Sequence, residues 1–326
     1  MSLLMDVPAP HWLPWRWRNR WDQYRVDSAI RDLDRTPPMP AAAPAAAQAD
    51  VQMLVCRRDL RMSVLALKSL MRFAPGQLAV TLTTDGSLST ADQAWADRHV
   101  PGCRWLPRHL PEQTLAPVLE GRPHLRALYG SPFQLVCKLV HAFAQPACDR
   151  VIVLDPDTAF LAAPRLLLDW VAGGDPHAYY MHGAPGKEDA VPGQVRDGFA
   201  EIAARAGAAP GQWRLDNHFF NSGLLLFRTA QCNLDQAEAY LRWRTERGEG
   251  IWDGERGIWF GEWTREQTAF LVMYALMDPP SRPLPEGYHL GPLREGGFNH
   301  FLREYMVHPD TLRRMGRLVA ELGHRG

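Results

Sequence analysis

The chain has 326 residues, 46% of them hydrophobic, and its 36 basic side chains balance 36 acidic ones. That length suffices for one large α/β domain or two smaller ones, and a balance of zero excludes a globally basic nucleic-acid binder or a partner for an acidic polymer. Any anion site must therefore be local. The five cysteines, Cys56, Cys103, Cys137, Cys148 and Cys232, are odd in number and form no C-x-x-C pair, which argues against a disulfide framework or a zinc site and for a reducing cytosol. No stretch reaches the roughly 20 apolar residues of a membrane span, and the start lacks the charged-then-apolar order of a signal peptide. The expectation is a soluble, cytoplasmic protein.

Residues 1–35 read as an arm. It contains HWLPWRWRNRWDQYR, in which Trp12, Trp15, Trp17 and Trp21 alternate with arginines. Basic residues interleaved with indoles suit a membrane interface or a polymer, so residues 12–25 are a candidate peripheral contact. A helix docking its indoles on the body or on a second subunit is the equal alternative. Thr36 to Asp50 (TPPMPAAAPAAAQAD) is rich in Pro and Ala without apolar periodicity and reads as a linker, leaving residues 51–326 as the main domain. There VQMLVC (51–56), LAVTLTTD (78–85) and DRVIVLD (149–155) have the pattern of strands, and the segments Arg61 to Phe73, Thr90 to His99 and Pro132 to Gln145 that of helices, the last with Ser131-Pro132 as cap and first residue. HFFNSGLLLF is the clearest strand of the second half. This order predicts a doubly wound, mostly parallel sheet with function at the carboxyl ends of its strands, where Asp85, Asp155 and Asp157 lie.

Val151-Ile152-Val153-Leu154 is the kind of run that a sheet buries on both faces. In extended chain, side chains two apart point to one side, so Asp155 and Asp157 direct two carboxylates at one point, and a hard divalent cation relieves their repulsion. LDPDTAF resembles the opening motif of haloacid-dehalogenase-like phosphatases, in which Asp155 would be the nucleophile and Asp157 the acid/base around Mg²⁺. That family also needs a later lysine and a late acidic pair. Downstream of residue 160 the only lysine is Lys187 and no such pair follows.

A second resemblance covers residues 51–310. VIVLDPDTAF, FFNSGLLLF, REQTAFLVMYAL, LPEGYHL and YMVHP resemble, in order, the blocks of metal-dependent GT-A glycosyltransferases of the glycogenin and bacterial lipopolysaccharide galactosyltransferase type. Three departures stand out: E-Q replaces D-Q, Y-H replaces Y-N, and K-P-W after the late histidine is missing. The resemblance implies a GT-A-like α/β fold, a UDP- or GDP-sugar donor, and transfer of a hexose to a sugar, lipid or protein acceptor, with a lean toward retention of configuration. A non-catalytic binder of nucleotide sugar or glycan is the alternative that the departures suggest.

The same resemblance implies the roles of residues. Asp155 and Asp157 would hold Mn²⁺ or Mg²⁺ across the donor diphosphate, with Asp155 also near the ribose, and a histidine in the set favours Mn²⁺. Of His289, His300 and His308, the choice is His308, because it follows the strand-like Tyr305-Met306-Val307. Arg57 and Asp59 lie in the loop after the first strand, where such folds hold the nucleotide, and Asp85 ends the second. Lys138 falls on a polar stripe with Gln134, His141 and Gln145; the stripe alone reads as a solvated face, whereas the resemblance directs Lys138 at the diphosphate or the aspartates. Asn221-Ser222-Gly223 would hydrogen-bond sugar hydroxyls. Glu266 and Gln267, at a helix start, would contact donor or acceptor hydroxyls and orient the reacting sugar. Trp252, Trp259 and Trp263 are candidates to stack on sugar rings, with burial in the core as the commoner use of tryptophan.

Overall fold

In the computed structural model, residues 12, 14–182, 193–214, 220–247 and 265–324 are described. Trp252, Trp259 and Trp263 lie outside them. Strands β1 (Ala49–Val55), β2 (Leu78–Thr84), β3 (Arg104–Leu106), β4 (Arg150–Leu154), β5 (Thr158–Phe160), β6 (Tyr179–His182), β7 (Phe220–Arg228), β8 (Arg282–Pro283), β9 (Tyr288–Leu290) and β10 (Phe298–His300) form two sheets. The larger has the order β3-β2-β1-β4-β7-β6-β8 and the smaller β5-β10-β9. Within the larger sheet only β7 runs against its neighbours; the other pairings are parallel. The expected doubly wound, mostly parallel sheet is thus present.

Strand β4 shows why the sequence builds it. Ile152 and Leu154 enter a first apolar cluster and Val151 and Val153 a second, so the run is apolar on both faces because helices cover both. Each such side chain, fully buried, stabilises by about 1.5–3 kcal/mol. Helices Leu60–Met71 and Pro309–Gly323 contribute to the first cluster, and Val136–Ala144, Leu234–Arg247 and Arg265–Ala275 to the second.

Three expectations need correction. Ser131 does not cap the helix that carries Lys138: it ends the preceding helix, Pro123–Gly130, where its hydroxyl donates to the Leu128 carbonyl at 2.6 Å, and the next helix begins only at Val136. The arm is not separate from the body. Its helix, Trp15–Ala29, and the turn after it bury Val26, Ile30 and Leu33 in the first cluster and pack on helix 309–323, closely enough that a Cβ at Gly316 would come within 3.2 Å of the Ala29 carbonyl. The indoles of Trp15 and Trp17 are not the docked groups; they stay exposed.

The Pro/Ala segment is no free linker either. Met39, Ala41 and Ala42 donate backbone hydrogen bonds to His99, Pro101 and Leu78, and buried Lys68 reaches Thr36 Oγ1 at 2.5 Å and the Pro37 carbonyl at 2.8 Å. Burial pushes Lys68 down to about 8. Composition hid this because an extended strap needs backbone partners, not apolar periodicity.

Candidate functional site

The turn after β4 carries Asp155 and Asp157, and β5 follows at once. Because β10 pairs with β5 in the register His300 to Thr158, and Phe301 N–H donates to the Asp157 carbonyl at 2.8 Å, the end of β10 lies beside the carboxylates. His300 Nε2 is 3.1 Å from Asp157 Oδ1 and 3.8 Å from Asp155 Oδ2. Among the described residues these three form the group whose ligand atoms, all within 4.8 Å of one another, could hold a metal ion.

His300, not His308, is therefore the histidine of the set. His308 is exposed and caps helix 309–323, its Nδ1 accepting from Asp310 N–H. Tyr305-Met306 belongs to a helical turn, Arg303–Met306, and not to a strand. The strand that delivers the histidine is Phe298-Asn299-His300.

Strand β7 secures that histidine from behind. Its reversed course sets Gly223 next to Asp155, whose N–H donates to the Gly223 carbonyl at 2.9 Å. Asn221 Oδ1 lies 3.1 Å from His300 Nδ1 and accepts from Gly223 N–H at 2.8 Å. An amide oxygen holding Nδ1–H leaves Nε2 facing the carboxylates, which is how metal-binding imidazoles are oriented. Gly223 has no room for a side chain: a Cβ there would overlap the His300 ring. Burial disfavours the charged imidazole, but Asp157 and then Asp155 outweigh it and raise the His300 pKa. The proton so held sits where a cation would sit. Two carboxylates and one oriented imidazole nitrogen fit a divalent ion of the Mn²⁺ type.

Lys138 bridges the carboxylates to the interior. Its Nζ is 2.7 Å from Asp155 Oδ1 and 3.4 Å from Glu266 Oε1, and donates to the Ser222 carbonyl and hydroxyl at 3.3 and 3.2 Å. Burial opposes the amine's charge, yet Asp155 and Glu266 together raise its pKa. Burial raises that of Glu266, with Lys138 working against the rise. The polar stripe on helix 136–144 thus faces inward: Lys138 and His141 are both buried. Gln267 Oε1 accepts from Ser222 N–H at 3.3 Å. Asn221, Ser222, Gly223, Glu266 and Gln267 stand together behind Asp155 and Lys138.

In front of them opens a cavity of about 560 Å³, which runs from Asp155, Asp157 and Lys138 to the carboxyl ends of β1 and β2. Asp59 and Asp85 line it. Asp59 is gripped by Arg58 through two hydrogen bonds of 2.7 and 2.8 Å, and Asp85 Oδ1 accepts from Ser87 N–H and Oγ. Arg57 turns away from the cavity toward Asp92 at 3.5 Å, and Arg58 takes the place on the cavity wall.

Sequence reasoning missed Asp22, Gln23 and Val26, which line the same cavity from the arm. Three residues within a Trp/Arg-rich helix carry no local signal of this; only tertiary docking puts them there. For His300 the only local hint was the aromatic pair Phe298 and Phe301 around it, which does not by itself set it apart from His308.

No protein-family model and no curated protein matches the chain. Among solved structures it is similar to mouse xyloside xylosyltransferase 1 in its apo form (14% identity, TM-score 0.47, covering 82% of this chain and 99% of that one). It is similar also to galactosyltransferase LgtC with donor and acceptor sugar analogs (11%, 0.47, 83% and 95%). A third is core-mannan synthase A from Aspergillus fumigatus in its Mn/GDP form (12%, 0.45, 76% and 77%). At such identities and TM-scores these similarities carry no argument, and what the site does rests on its own residues.

Proposed function

We propose that this protein is a metal-dependent glycosyltransferase that moves a hexose from a UDP- or GDP-sugar to an acceptor. The observation that carries this reading is the group Asp155, Asp157 and His300, backed by Asn221 and Lys138, beside a cavity of about 560 Å³. A bound Mn²⁺ or Mg²⁺ would neutralise the charge that develops on a departing diphosphate. Around it, Asp155, Asp157 and His300 supply the ligands, and Lys138 adds a fixed positive charge beside Asp155. Arg58 lies on the cavity wall, where it can pair with phosphate oxygens. Gln267, held against Ser222, and Glu266 are assigned to the sugar end, where an amide oxygen and a carboxylate accept from hydroxyls. Release of UDP or GDP from the sugar nucleotide in Mn²⁺ but not in EDTA, and its loss in Asp157→Asn, tests the reading. A binder that releases no nucleotide would contradict it, and metal-dependent hydrolysis of p-nitrophenyl phosphate without nucleotide release would favour the phosphatase reading.

The outer surface of the arm bears on the acceptor side. Trp12, Trp15, Trp17 and Tyr24 are exposed, Arg20 lies 5.4 Å over the Trp17 ring, and no acidic residue precedes Asp22 on this helix. Among the described residues no helix is long and apolar enough to cross a membrane. We read the exposed indoles and arginines as a peripheral contact with an anionic bilayer, and the five free cysteines as suited to a cytoplasmic location. Co-sedimentation with phosphatidylglycerol vesicles, lost in Trp15→Ala/Trp17→Ala, is the expected result; equal retention of wild type and variant by a soluble glycan, with no vesicle binding, would point to a polymeric partner instead.

A further inference from the structure

We infer that the helix Trp15–Ala29 is a wall of the nucleotide pocket, and that Asp22 accepts a hydrogen bond from the nucleoside of the donor. The inference deepens the proposed function and rests on it.

The position follows from the shape of the cavity. Its metal end is fixed by Asp155 and Asp157, so a diphosphate lies there, and the nucleoside must extend toward the carboxyl ends of β1 and β2. There the wall includes Cys56, Asp59 and Asp85 from the strand ends and Asp22, Gln23 and Val26 from the arm. The strand-end residues are largely committed. Both oxygens of Asp59 are held by Arg58, one also by the Cys56 thiol, and Asp85 Oδ1 serves Ser87. Asp22 is the freer acceptor: its ion pair is with Arg25 through Oδ1 at 3.6 Å, longer than a hydrogen bond.

Its helix is held in place at this point. Gln23 Nε2 donates to the Arg58 carbonyl at 2.9 Å and to Asp27 Oδ1 at 3.2 Å, while Val26, Ile30 and Leu33 anchor the helix in the core. Gln23 is accordingly a positioning residue, which ties the arm to the loop bearing Arg58 and Asp59. A carboxylate facing a nucleoside accepts from base N–H groups or ribose hydroxyls. Guanine offers two adjacent N–H donors and uracil one, whereas the ribose is common to both.

Electrostatics gives the test a sign. A carboxylate that merely stood near the cavity would repel the diphosphate, so Asp22→Asn would tighten binding of any phosphate ligand. An accepting Asp22 predicts the reverse for nucleotides alone. In titration calorimetry of the full-length chain with Mn²⁺ present, Asp22→Asn should weaken GDP or UDP binding by about ten-fold or more, the scale of one hydrogen bond to a charged group. Pyrophosphate affinity should be equal to wild type or slightly tighter, and Mn²⁺ affinity and the melting temperature without ligand should match wild type. Loss for GDP alone assigns the base edge, and equal loss for both assigns the ribose. Unchanged or tighter nucleotide binding by Asp22→Asn, or an equal loss for pyrophosphate, would overturn the inference and leave the proposed function standing. A wild-type protein that binds Mn²⁺ but neither GDP nor UDP would overturn both.

Discussion

Lys138→Met tests the electrostatic core of the site. The ammonium of Lys138 contacts Asp155 at 2.7 Å and Glu266 at 3.4 Å, and Glu266 is 1% exposed. Removing the cation leaves a buried carboxylate with no countercharge, a change that typically costs about 3–5 kcal/mol, whereas replacing both partners by apolar residues is often close to neutral. Methionine keeps the length of the stem, so packing changes little. Urea unfolding in EDTA should therefore show Lys138→Met destabilised by about 3–5 kcal/mol and Lys138→Met/Glu266→Met by much less. Mn²⁺ should restore part of the single variant's loss, since a divalent ion at Asp155 replaces the missing charge. If the single variant unfolds within about 1 kcal/mol of wild type, or the double variant proves as unstable as the single, the pairing argued here is wrong.

Three further outcomes are expected. His300→Ala should weaken Mn²⁺ binding by calorimetry while His308→Ala leaves it unchanged; the opposite pattern would return the late histidine to position 308. Gly223→Ala, which drives a methyl into the His300 ring, should lower Mn²⁺ affinity by about 10–100-fold, the range for disturbed supports of metal ligands, and an unaltered affinity would show that the ring has room to move. Burial holds His141 down to about 3 and His99 down to about 4, so both stay neutral in the folded chain while the unfolded chain binds their protons near pH 6.5. Stability present above about pH 6.5 should thus be lost as pH falls toward 4, by up to about 1.4 kcal/mol per pH unit for each. His141→Gln should flatten that slope, and identical pH profiles would count against the assignment.

How far the sequence could be read depended on the kind of signal. β1, β2, β4 and β7 were legible because apolar runs covered on both faces leave a continuous pattern, and the D-x-D turn at the end of β4 was legible with them. His300 was not distinguished from His308, since what separates them is the pairing of β10 with β5, a contact between residues far apart in the chain. Val26, Ile30 and Leu33 are spaced as one buried face of a helix and turn, but four tryptophans nearby drew attention to the opposite face. The strap of residues 36–50 left no periodic trace, because most of what holds Met39 to Ala42 in place is backbone hydrogen bonding. Asp22 entered the pocket through that same docking.

The packing of helix 15–29 against helix 309–323 also bears on the order in which the protein matures on the ribosome. The arm emerges early, yet the surface that receives it is complete only when residues 309–323 have been made and folded. Until then Val26, Ile30 and Leu33 lack the part of their packing that helix 309–323 supplies. Domain-sized segments form as the chain is synthesised, so the sheet and the D-x-D turn can assemble before the arm closes over them. A nascent chain halted short of residue 309 would thus hold its two aspartates in place before the arm has its full seat.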